Sequence, residues 1–260
     1  MSNETLMPEA LEARFDTCFF ERNPGAPLWR RATAEALGTC FLIVVAAGSG
    51  VSAAHLSPDN AALRLLLSAI GTSGALVALI FTFGKVSGGH FNPLVTALQW
   101  MFHQRDLRCT IGYIAAQVIG AAIGAFLVHF AAFDQALNLS NMSARPIIFS
   151  HTILIGSEVF SSMALMTVVF GCSRSGLSTA GPVAVGGWLA AAILVSPSGS
   201  YANPAITLAS IFTPGPFCLP VGVAILFLLA QIFGGAGAFG IVSLLYPLRE
   251  GLSSVTKELA

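Results

Sequence analysis

Two Asn-Pro dipeptides, Asn92-Pro93 and Asn203-Pro204, each open an Asn-Pro-x-x-Thr element in a chain built mostly from long apolar runs. Asn is a favoured N-cap, and Pro is favoured at the first helical position because its missing N–H would have no intrahelical partner. Each dipeptide therefore predicts a helix start. The residues before them, Val86-Ser87-Gly88-Gly89-His90 and Ser198-Gly199-Ser200-Tyr201-Ala202, are small and glycine-containing, so the chain can run extended there. At about 1.5 Å per residue, the stretches 92–103 and 203–213 reach only about halfway across a hydrocarbon layer. They are predicted half-helices.

The surroundings of these elements are those of a membrane protein. Six further segments, roughly 32–54, 62–84, 107–130, 151–172, 177–196 and 217–246, are long and apolar enough to span as helices. Only 9% of residues are charged and 55% are hydrophobic, with a mean hydropathy of +0.79. A soluble domain carries about 25% charged residues. The formal net charge is zero and there is no basic run, which leaves a nucleic-acid partner without electrostatic footing. Glu4, Glu9, Glu12, Arg14, Asp16, Glu21 and Arg22 exclude a secretory signal peptide near the start; residues 1–30 are expected to be a cytoplasmic tail, and 248–260 another. With the N-terminus inside, ten of the twelve basic residues fall on the cytoplasmic side, leaving Arg64 and Arg145 outside.

The chain also repeats itself. Ala34-Glu35-Ala36, His90-Phe91-Asn92-Pro93-Leu94-Val95-Thr96 and Gln117-Val118-Ile119-Gly120 have counterparts, in order, in Ser157-Glu158-Val159, Tyr201-Ala202-Asn203-Pro204-Ala205-Ile206-Thr207 and Gln231-Ile232-Phe233-Gly234. The repeats are expected at about 31–135 and 150–247, within one channel domain over 31–247. Three spans per half is an odd number, so the second copy must lie inverted, which puts its site at the membrane midplane. Two opposed helix N-termini there, each equivalent to about half a positive charge, would repel cations. Glu35 and Glu158 are expected to be buried and paired, as intramembrane acids are.

Paired Asn-Pro elements, six spans and two half-helices resemble the aquaporin or major intrinsic protein family over residues 30 to 247. The resemblance implies an all-α membrane protein of six transmembrane helices plus two half-helices. It implies a homotetramer with one pore per subunit, in contact with membrane lipid and passing water or small neutral solutes. Asn92 and Asn203 would donate hydrogen bonds to the solute, while Glu35 and Glu158 would hold loop backbone. The motifs themselves are Asn92-Pro93-Leu94 and Asn203-Pro204-Ala205; the first departs from the family's Asn-Pro-Ala and places a larger Leu94 near the midplane constriction.

By the same resemblance, the selectivity filter maps, counting without gaps from the two Asn residues, to Thr72, Ala191, Ser200 and Ile206. Most of the family has arginine where this chain has Ile206. A filter of small residues without arginine implies a wide, weakly polar constriction, since selectivity depends on pore diameter and lining donors and acceptors. It resembles an arginine-less bacterial branch associated with trivalent arsenic species. The expected function is a passive inner-membrane channel for water and uncharged solutes, with glycerol-sized polyols or arsenite as cargo. A water-selective channel is the alternative, and an ion-coupled secondary transporter a more distant one.

Other residues offer little chemistry. His90 can either present a polar ring edge to the pore or pack on the half-helix. The remaining histidines, at 55, 103, 129 and 151, lack metal-ligand spacing, and the cysteines at 18, 40, 109, 172 and 218 form no C-x-x-C pair. No cofactor or metal is expected. No catalytic set is recognisable, so an enzyme has little support. Gly120, Gly124 and the Gly234-Gly235-Ala236-Gly237 run predict close helix crossings.

Overall fold

A computed structural model describes residues 26–131, 150–177 and 179–247, and these are helical with no strands. The helices are α1 (Leu28–Leu56), α2 (Ala61–Ser87), α3 (Pro93–Met101), α4 (Leu107–Ala131), α5 (His151–Arg174), α6 (Gly181–Val195), α7 (Pro204–Ser210) and α8 (Val221–Leu245). Five of them are long and apolar enough to cross a membrane. The sixth crossing, α6, has 15 residues, fewer than the segment 177–196 predicts. Its start is set by Pro182 in the first turn, and its end by Pro197, which forces Ser196 out of the helical region to ψ 127°. Pro214, Pro216 and Pro220 likewise delay α8 to Val221, behind a short 3-10 turn at Gly215–Phe217.

The half-helices are shorter than the sequence suggests, with nine residues in α3 and seven in α7. Both begin at the Asn-Pro step, each Asn in extended conformation and each Pro in the first turn. Alternation of the helices places Arg30, Arg31, Lys85, Arg105, Arg108 and Arg174 at the face where α1 starts, and Arg64 at the opposite face.

In each half, the first helix lies against the third long one: α1 packs on α4, and α5 on α8. Glycine permits these contacts. A Cβ on Gly120 would stand 2.1 Å from the Ala36 carbonyl oxygen, and one on Gly124 2.7 Å from that of Cys40. In the second half, a Cβ on Gly234 would stand 2.6 Å from the Val159 carbonyl oxygen. Small residues let membrane helices approach where there is no hydrophobic force to press them together. The halves meet through α2 and α6 and through the half-helices, each of which contacts a long helix of the other half.

Candidate functional site

The non-helical chain before each Asn-Pro step bends through left-handed backbone. Gly88 and Gly89 have φ of 93° and 64°, and Phe91 follows at 47°; their counterparts Gly199, Ser200 and Ala202 lie at 84°, 55° and 46°. For a side-chain-bearing residue this conformation costs roughly 1–2 kcal/mol, so something must hold it.

The two buried acids do so. Glu35 Oε1 accepts from Ser87 Oγ (2.6 Å) and His90 N (3.0 Å), and Oε2 from Phe91 N (2.7 Å) and Gln117 Nε2 (2.7 Å). Glu158 Oε1 accepts from Ala202 N (2.5 Å) and Gln231 Nε2 (2.9 Å), and Oε2 from Tyr201 N (3.3 Å). Both carboxylates are 0% exposed. Each carboxyl engages both oxygens with donors from the bend and from a glutamine, so these backbone N–H groups are satisfied without water. Gln117 Nε2 also donates to Thr96 Oγ1 (3.0 Å) and Gln231 Nε2 to Thr207 Oγ1 (2.7 Å). Each threonine hydroxyl in turn donates to the carbonyl of its half-helix Asn.

Sequence reasoning noted the glutamines and the Asn-Pro-x-x-Thr core as repeat markers but missed that they close one circuit with the acids. Ser87 and Ser198 were missed as well. Ser87 Oγ accepts from Gly89 N at 3.2 Å, and Ser198 Oγ from Ser200 N at 3.1 Å. The signal was available, because these serines recur at the spacing that separates the two Asn-Pro steps.

The two asparagines use both ends of their amides. Asn92 Oδ1 accepts from Leu94 N (2.9 Å) and Asn203 Oδ1 from Ala205 N (3.0 Å), which caps the half-helices. Their Nδ2 groups cross over: Asn92 donates to the Ala202 carbonyl (2.9 Å) and Asn203 to the Phe91 carbonyl (2.8 Å). An amide nitrogen has two hydrogens. With one committed to the opposite half, the second is left on a side chain that lines a cavity of about 650 Å³.

Five helices face this cavity with mostly apolar stripes at helical spacing, including Leu42, Ala46 and Gly50 on α1, Thr72, Leu76 and Ile80 on α2, and Val223 and Phe227 on α8. Val185, Leu189 and Ile193 do the same on α6, while Leu165, Met166 and Val169 line it from α5. Against the stripes stand the polar non-helical segments, with Gly89 and His90 before Asn92 and Ser196 to Tyr201 before Asn203. Of the polar atoms here, His90 Nε2 and Ser200 Oγ have no hydrogen-bond partner, whereas His90 Nδ1 lies 2.8 Å from Thr96 Oγ1. His90 thus packs on the half-helix and also borders the cavity.

Of the expected filter residues, Thr72, Ser200 and Ile206 line the cavity together. Ala191 does not. It lies on the exposed face of α6 with Val183 and Gly187, two turns and one turn earlier, while Leu189 and Ile193 on either side of it point inward. Counting without gaps across the Ser196-Pro197 break loses the helical phase, and two residues on a helix are about 200° apart. Leu94 is also off the cavity wall. Its side chain packs on α8, where a Cβ on Gly235 would stand 2.7 Å from Leu94 Cδ1. Pro93, Pro204 and Ala205 sit in the first turns of the half-helices, also off that wall.

Comparison with known proteins agrees with this geometry. The sequence model of the family described as Major intrinsic protein matches residues 24–197. Aquaglyceroporin AqpS of Rhizobium meliloti (strain 1021) is 33% identical over 235 residues, covering 90% of this chain and 97% of the relative. Probable aquaporin TIP5-1 of Oryza sativa subsp. japonica is 29% identical over 191 residues, 69% of this chain and 71% of its own. The X-ray structure of the aquaglyceroporin from Plasmodium falciparum superposes with a TM-score of 0.69 at 19% identity, covering 90% of this chain and all of that one, a likeness of fold.

Proposed function

The chain belongs to the major intrinsic protein family and is a passive channel for water and small solutes, not an enzyme; on that premise we propose that its cargo is glycerol-sized uncharged polyols, including arsenite in its neutral trihydroxy form. The observation that carries this reading is the wall of the lumen. Among its described residues, the position three after Asn203 is Ile206, and Thr72 and Ser200 on the same wall are small. A constriction without an arginine fork leaves room for a solute larger than water, and its few donors and acceptors suit hydroxyl groups. The relative named an aquaglyceroporin supports a polyol cargo in preference to water alone.

The filter proposed here is Thr72, Ser200 and Ile206, with Leu189 and Ile193 as the contribution of α6. Asn92 and Asn203 are assigned the role of donors to the passing solute, since each retains one amide hydrogen beyond its cross-bond. The family resemblance carries further proposals: one channel domain over 31–247, a homotetramer with one lumen per subunit, and an inner-membrane location with both termini cytoplasmic. The clustering of described basic residues at the face where α1 starts supports that orientation.

Stopped-flow light scattering on proteoliposomes tests the cargo. Wild-type protein is expected to accelerate both water and glycerol movement. In Ile206→Arg, glycerol flux should fall by about tenfold, a barrier increase of roughly 1.4 kcal/mol, while water flux falls less. Equal glycerol flux in the variant would place the constriction elsewhere.

A further inference from the structure

Arg64 is the one ionised side chain on the described wall of the lumen. It stands at the face opposite the start of α1, eight residues before Thr72 on α2, which is about 12 Å along the helix axis. Its position is fixed from two sides. The Arg64 backbone N–H bonds to the Asn60 carbonyl at 3.1 Å, and the Asn60 side chain caps α2 by accepting from Leu63 N at 2.9 Å. At the far end, Nη1 donates to the carbonyls of Ser57 (3.0 Å) and Pro58 in the turn joining α1 to α2. The guanidinium therefore remains at the rim of the cavity.

Apart from the partial charges of the two half-helix N-termini, the rest of the described wall carries no charge. Ile206, where a filter arginine would carry one, is apolar, and no described carboxylate reaches the wall, since Glu35 and Glu158 are fully buried in their backbone networks. A fixed positive charge at the mouth of a lumen with apolar walls raises the local potential and lowers cation concentration there. We propose that Arg64 is the charge that sets cation exclusion at this entrance, a specificity determinant displaced from the constriction to the rim. This assignment rests on the channel reading above.

A charge at a wet rim differs from one buried in a filter: salt screens it, with a Debye length of about 8 Å at physiological ionic strength and about 3 Å at 1 M. The test uses full-length protein in liposomes and reads the ratio of methylammonium to glycerol permeability in the same vesicles. Arg64→Gln is expected to raise that ratio about tenfold at low salt, within the range that electrostatic focusing spans. Arg64→Lys retains the charge and should stay near wild type, and the gap between Gln and wild type should close in about 1 M salt. An unchanged ratio in Arg64→Gln, with glycerol still passing, would overturn the assignment and leave the channel intact. A Lys variant as leaky as Gln would overturn it too, since the turn-holding contacts and not the charge would then matter. Wild-type vesicles passing neither water nor glycerol would instead sink the channel reading and this one with it.

Discussion

Leu94 and Phe91 show how two unequal halves serve one symmetric arrangement. Leu94 occupies the position held by Ala205 in the second half, and the extra volume is received by Gly235 on α8. Phe91 occupies the position of Ala202, and its ring lies where a Cβ on Gly38 would stand 2.0 Å from Cε1; the second half has Ser161 in place of that glycine. Bulk gained on the loop is lost on the helix facing it, so both Asn-Pro steps reach the same position. Replacing Leu94 with Ala should therefore empty a packed site and not widen the lumen. We expect a stability loss of about 2–5 kcal/mol, seen as a lower thermal midpoint in detergent, with glycerol flux per folded channel unchanged. A variant with normal stability and faster glycerol flux would show that Leu94 borders the passage after all.

Between elements, the closest approaches fall on a few glycines and leave others free. Gly120 meets the Ala36 backbone directly, whereas Gly240, on the matching helix of the second half, has nothing within 4 Å of its would-be Cβ. Gly120→Ala cannot be accommodated by a rotamer change, because the obstacle is a carbonyl of α1, and it should push α4 off α1. Loss of at least about 2 kcal/mol is expected, in the range for an overpacked contact. Gly240→Ala should be neutral or gain up to about 1 kcal/mol from helix propensity. Parallel thermal unfolding of the two purified variants distinguishes them; similar midpoints would mean that the crossing of α1 and α4 is not held by close backbone contact. The half-helices are shorter than any length that would be stable alone in water, and they persist because their first turns are capped by asparagines tied to the opposite half.

For the molecule as a whole, the buried acids determine what kind of transport is possible. An ion-coupled carrier would need a titratable group at the substrate site. Glu35 and Glu158 are each held by loop and glutamine donors away from the described lumen wall, and His90, which does border the lumen, has its Nδ1 held against Thr96 Oγ1. Glycerol flux should consequently rise in proportion to its gradient and be indifferent to dissipation of proton and sodium gradients. Flux that saturates and collapses with either gradient would contradict this, and isotope or light-scattering assays on gradient-clamped vesicles would reveal it.

The all-helical membrane architecture, the inverted repeat and the two half-helix starts were legible in the linear chain because each rests on local chemistry. Apolar run length determines spanning, and Asn followed by Pro determines a helix N-terminus wherever it occurs. The buried acids were legible from their apolar setting, and Ser200 and Ile206 from their short distance to Asn203. What tertiary structure alone decided were the matters of helical phase and direction. Ala191 faces outward because the Ser196-Pro197 break intervenes between it and the motif from which it was counted. Leu94 turns from the lumen because a glycine in a helix more than a hundred residues later leaves room for it. The circuit joining Glu, Gln, Thr and Asn, and the arrival of Arg64 at the rim, depend on contacts between segments that local sequence does not encode. Composition and motif determined that there would be a lumen between two opposed half-helices; packing decided which side chains face it.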